Sequence, residues 1–160
     1  MADLTITLTE SVTLNGADQG STNTKTVTGV SEILRQVREL DNDETTIFQL
    51  DATAADDAYN TGHTMEAANL KYLRITNLHA SNTVKLAFYK VYTDGNDEAF
   101  IVKLEAGHSF VASTDDFSAD DDFDASSGAF ISGQTDVQWT TVRGIASADT
   151  THIEVFAASS

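Results

Sequence analysis

Residues 4–14 place Leu4, Ile6, Leu8, Val12 and Leu14 on even positions, with Thr5, Thr7, Thr9 and Thr13 between them. A period of two gives a strand one apolar and one polar face, so a half-buried strand is expected here. Asn15-Gly16 and the polar run to Gly20 supply turn chemistry. β-Branched alternation then resumes over 22–30, which predicts a hairpin. Residues 30–40 fit two periods, since Val30, Ile33, Leu34 and Val37 also match i, i+3, i+4, i+7, with Ser31 placed to cap a first turn. We read them as a strand, because every neighbouring element is β and a ten-residue helix draws most of its stability from packing. Further strands are expected at 45–50, 129–131, 137–145 and 151–157. Residues 72–77, 84–92 and 99–104 read as a three-stranded meander turning at Ala80-Ser81-Asn82 and at Asp94-Gly95-Asn96-Asp97. Residues 51–68 and 113–128 are long polar connections, a length that marks functional loops. Nine or ten short strands with at most one short helix predict an all-β, antiparallel β-sandwich or barrel.

The chain has 160 residues and 17.2 kDa, the size of one domain spanning 1–160, with enough surface to bury a core without staples. It has no cysteine and no proline. Disulfides and thiolate sites are therefore excluded, and every residue after the N-terminus keeps a backbone donor for pairing. Threonine occurs 22 times, as the solvent face of pleated sheets favours. Twenty-five acids against nine Lys and Arg give a formal charge of −16. Such a surface repels nucleic acid and anionic membrane. No basic region precedes an apolar run at the start and no stretch has the length to span a bilayer, so a soluble chain without an export signal is expected. The charge is uneven: net −5 over 1–50, −3 over 51–110 and −8 over 111–160, where Arg143 is the sole cation. Lys71, Arg74, Lys85, Lys90 and Lys103 all fall in the central section. This distribution predicts that the central strands face a partner, with Lys85 and Lys90 as contacts, and that the acidic loops face solvent; the plainer reading is a solvated surface with cations on exposed strands.

No sequence handle on catalysis is present. His63, His79, His108 and His152 stand singly, without the spacing of a metal pair. The nucleophile elbow, the P-loop, the dinucleotide fingerprint and paired cysteines are all missing. Paired acids such as Asp56-Asp57 and Asp115-Asp116 have the chemistry of a glycosidase, but 25 acids produce such pairs by composition. Within 113–128, Asp120, Asp122, Asp124 and Ser126 reproduce the 1, 3, 5, 7 oxygen spacing of a calcium loop. Ala125 replaces its glycine and Ile131 its bidentate glutamate, so a solvated acidic loop competes with a calcium site. Phe117 and Phe123 sit in a repeated Asp-Asp-Phe. They serve either as anchors of the loop on the core or as partner contacts. No cofactor is expected.

Residues 72–78 (Tyr-Leu-Arg-Ile-Thr-Asn-Leu) and 99–110 (Ala-Phe-Ile-Val-Lys-Leu-Glu-Ala-Gly-His-Ser-Phe) resemble small virion structural proteins of marine tailed bacteriophages. The opening 4–16 and the ending 153–159 are similar to the same group, so the likeness covers most of the chain. It implies a jelly-roll-like sandwich that decorates or cements the outer surface of the capsid, binding the major capsid protein, commonly as a homotrimer, with no catalytic residues. A tail tube, neck, adaptor or fibre subunit is compatible with the same motifs. From another class, a carbohydrate-binding sandwich would stack Trp139, Tyr59, Tyr89 or Tyr92 on sugar rings, although Trp139 sits in an alternating strand that suits a core role.

Overall fold

The computed structural model describes residues 1–51, 64–66, 70–91, 97–112 and 141–160. Among these there is no helix. The strands are β1 (Ala2–Glu10), β2 (Thr13–Leu14), β3 (Ala17–Asp18), β4 (Ser21–Val30), β5 (Glu32–Leu40), β6 (Thr45–Asp51), β7 (Thr64–Glu66), β8 (Leu70–Asn77), β9 (Val84–Val91), β10 (Asp97–Leu104), β11 (Ser109–Ala112), β12 (Thr141–Ala146) and β13 (Thr151–Ser159). Two sheets face one another, one ordered β10-β9-β12-β6-β7 and the other β11-β8-β13-β5.

Short β7 pairs in parallel with β6; every other pairing is antiparallel. Leaving β7 aside, the other eight strands from β5 onward pair first with last (β5 with β13), then β6 pairs β12, β8 pairs β11 and β9 pairs β10. This is one antiparallel ribbon rolled on itself, its rungs alternating between the two sheets, which is the jelly-roll connectivity. The expected all-β sandwich is therefore the fold.

The core follows from alternation. Leu73 and Ile75 of β8, Ile153, Val155 and Ala157 of β13, and Val84, Leu86 and Phe88 of β9 turn inward with Leu40, Ile47, Phe48, Leu104 and Val142. Asn77 is one of the buried polar residues, with Thr151 and Ser159, and lies fully buried at one end of the sandwich. Its Nδ2 donates to the carbonyls of Asn82 at 2.8 Å and Glu105 at 3.2 Å, and its Oδ1 accepts from the His79 N–H at 3.0 Å. His79 in turn accepts the N–H groups of Ser81 and Asn82 on Nδ1, at 3.1 and 2.8 Å. One amide thus ties two chain reversals together and satisfies backbone groups that a sharp corner strands.

Residues 32–40 form the expected strand, and their helical spacing arises because Ile33 and Val37 face outward while Leu34 is on the inward face. One expectation changes. The meander is not one sheet. Ala80-Ser81-Asn82 carries the chain from β8 across to β9 in the opposite sheet, so Arg74 lies on one outer face and Lys85 and Lys103 on the other. The loop at 113–128, with Asp120, Asp122, Asp124, Phe117 and Phe123, lies outside the described residues.

Candidate assembly surface

The first thirty residues stand apart from the sandwich as a hairpin arm. Strands β1 and β4 pair with each other and with no strand of the two sheets. Beyond them β2 and β3 continue the arm to a two-residue turn, where Asn15 and Gly16 adopt φ of 53° and 79°. Positive φ at both central positions is what this tight hairpin turn requires, and Asn-Gly supplies it. The end of the arm is further pinned: the Gln19 N–H donates to the Val12 carbonyl at 2.8 Å, the Gly20 N–H to Asp18 Oδ1 at 2.8 Å, and Ser21 Oγ to Glu10 Oε2 at 2.8 Å.

The register gives the arm two unlike faces. Thr5, Thr7 and Thr9 oppose Thr26, Thr24 and Thr22, so one face is a ladder of six threonines. Thr7 and Thr24 hydroxyls lie 3.5 Å apart, as do those of Thr9 and Thr22. The other face carries Leu4, Ile6 and Leu8 along β1 and Val27 on β4. Only its base is covered. Leu4, Ile6, Val27 and Val30 pack with Tyr72, Phe156 and Ala158, which form a corner of the outward face of the four-stranded sheet. Tyr72 meets Phe156 edge to face at 5.9 Å. Burial pushes the Tyr72 phenol above its ordinary value of 10.0, and the nearby Arg74 charge opposes that rise.

The bend that lays the arm on this corner is a β-bulge. Ala2 pairs with Val30 and Leu4 with Val27, so Thr28 and Gly29 together oppose the single Asp3. Gly29 takes φ of 75°, the left-handed conformation that such a bulge needs.

Beside the covered corner lies an ion cluster. Glu154, on β13, sits between Arg74 of β8 and Arg35 of β5. It accepts from Arg74 Nη2 at 3.1 Å and from Arg35 Nε at 2.5 Å. The Arg74 guanidinium also stands 5.7 Å from the Phe156 ring centre. Strand β5 adds Ile33 and Val37, both more than half exposed, and β11 adds Val111.

The opposite outer face holds Lys85, one of the two lysines expected to meet a partner. Lys85 is exposed on β9, directly across from Lys103 on β10 and Ile145 on β12, and Lys103 pairs with Glu105 at 2.7 Å. Lys90 lies further along β9 opposite Glu98. Thus Lys85 and Lys103 come together, while Arg74 belongs elsewhere. Tyr89 is the one sugar-stacking candidate among the described residues. The Arg143 guanidinium covers its ring at 4.6 Å from the centre, and Arg143 also meets Glu44 at 2.8 Å. Among the described residues no three His, Asp or Glu side chains gather as metal ligands. Comparison with protein-family models, curated proteins and solved structures finds no match to this chain.

The arm and the Arg35–Glu154–Arg74 cluster are the parts that sequence reasoning missed. Alternation over 4–14 predicted a single strand, whereas the chain breaks after Glu10, the one acid in the apolar phase, into β1 and the short β2, and nothing in the pattern shows that this far half leaves the body.

Proposed function

We propose that this chain is a non-enzymatic decoration protein of a tailed-phage head, binding the outer surface of the assembled shell through the major capsid protein and stabilising it. The observation that carries this reading is the hairpin arm. A two-stranded arm that extends an apolar row past its own body has a surface made for a neighbour rather than for a substrate. The resemblance of residues 72–78 and 99–110 to phage virion proteins supplies the shell as the setting. A ligand that binds only the intact lattice favours it by mass action, which is all that a cement requires. Apolar contact supplies the affinity, and the Lys85–Lys103 face, on a chain with so few cations, sets orientation against an acidic partner.

The test uses heads lacking this chain. Added protein should co-sediment with them and raise the temperature at which they break open, and Lys85→Glu should weaken that binding about tenfold. Neither co-sedimentation nor thermal protection would end the reading. Antibody labelling confined to tails or necks would move the chain to another virion part.

A further inference from the structure

The distal arm and the uncovered sheet face are two unfinished surfaces of one molecule. Leu8, Val12 and Leu14 are 59%, 51% and 62% exposed although the turn and the hydrogen bonds around Gly20 hold this end of the arm in order. An isolated two-stranded hairpin is marginal in water, so this half needs a third layer. The sandwich offers one kind of receptor whose fit to the arm is already visible. Its four-stranded sheet takes Leu4, Ile6 and Val27 at the Tyr72–Phe156–Ala158 corner, and the same face runs on to exposed Ile33 and Val37. Ile33 directly neighbours Ala158 in the register, and Val37 neighbours Glu154. The uncovered patch is thus continuous with the one the arm covers.

Charge selects the occupant. The chain carries −16, so two copies repel except where their surfaces are near neutral. The outward face of the four-stranded sheet carries Arg35 and Arg74 on either side of Glu154, with Glu39 beside His152, so its formal charges balance. The arm holds only Asp3, Glu10 and Asp18 against Lys25. Arg35 is 72% exposed even within its ion pair, and so remains in reach of Glu10 or Asp18 on an arriving arm.

We infer that the distal arm of one copy lies across the outward face of the four-stranded sheet of a second copy, with Leu8, Val12 and Leu14 covering Ile33 and Val37. The inference rests on the assembly reading above and names one of its contacts. Reciprocal or cyclic exchange of arms closes the particle, and its subunit number follows from sedimentation.

The absence of cysteine makes the test direct. Leu8→Cys is made on the plain chain and Val37→Cys on a chain lengthened by a tag; the two are mixed and oxidised in air. With the two chains in equal amounts, the mixed disulfide should exceed either homodimer by well more than the roughly twofold that random pairing gives, and Ile33→Asp in the tagged chain should abolish that excess. In sedimentation velocity the unmodified protein should run as two or more copies. Leu8→Asp, at a position too exposed to threaten folding, should weaken association about tenfold or more. A 17.2 kDa monomer at about 100 μM, or no excess of mixed disulfide, overturns arm exchange. A monomer that still binds heads ends arm exchange and keeps the decoration reading. An arm-exchanged oligomer that ignores heads does the reverse.

Discussion

Tyr72 links the arm to the sandwich, and its hydroxyl sets a limit on the pH at which that link holds. The ring is buried between Val27, Val30, Ala158 and Phe156, and desolvation, partly offset by Arg74, raises its pKa above 10.0. In the unfolded chain the phenol ionises near its ordinary value, whereas the folded protein still holds the proton there. The unfolded state then binds fewer protons, so stability falls as pH rises through about 10 and beyond. Below that range both states are protonated and Tyr72 adds no pH dependence. Tyr72→Phe keeps the ring and its edge-on contact with Phe156 but has nothing to ionise. Urea midpoints measured from pH 8.5 to 11 should therefore fall less steeply in Tyr72→Phe than in the unmodified protein; parallel curves would show that the phenol ionises freely in the fold.

Among the elements, the arm depends on one backbone conformation at its root. Gly29 opens the bulge that turns β1 and β4 onto the sheet, and a β-branched residue at φ of 75° is strained by about 1–2 kcal/mol. Gly29→Val should straighten the pair and lift Leu4, Ile6 and Val27 from Tyr72 and Phe156. Trypsin should then cut after Lys25 several-fold faster, while Gly29→Asn, which tolerates the left-handed region, should stay near the original rate. Equal rates in all three proteins would mean that the bulge does not hold the arm down. The sequence shows the alternation that makes β1, β4 and the strands from β8 to β10, because period two survives wherever one face is wet. It does not show which sheet receives a strand. Ala80-Ser81-Asn82 announces a reversal, and the change of sheet depends on Asn77 bonding across to Asn82 and Glu105, contacts that local turn chemistry does not encode. Strand β5 imitates a helix for a related reason, since its outward Ile33 and Val37 break the polar face that identifies a half-buried strand. Of the candidate surface, exposed Lys85 was legible as a lone cation in a β pattern. Glu154 was not, because its two arginines lie 119 and 80 positions away and meet it only through the order β8-β13-β5.

For the whole molecule, the charge of −16 sets two kinds of contact against each other. An arm seated on a second copy joins near-neutral, apolar surfaces while the remaining acids, seven of them in 113–140, repel across the particle. Screening reduces that repulsion: the Debye length shrinks from about 30 Å at 0.01 M salt to about 3 Å at 1 M. Self-association should therefore tighten as salt is raised over this range, and apolar contact is not weakened by it. A contact made by Lys85 and Lys103 with an acidic shell behaves in the opposite way, because salt screens attraction as readily as repulsion. Sedimentation of the protein alone and co-sedimentation with heads, each followed from low to high salt, should give slopes of opposite sign. If self-association instead weakens with salt, ion pairs such as Arg35 with Glu10 or Asp18 dominate over Leu8, Val12 and Leu14, and the arm is held by charge. If head binding strengthens with salt, the Lys85–Lys103 face is not what meets the shell, and an apolar surface must take its place.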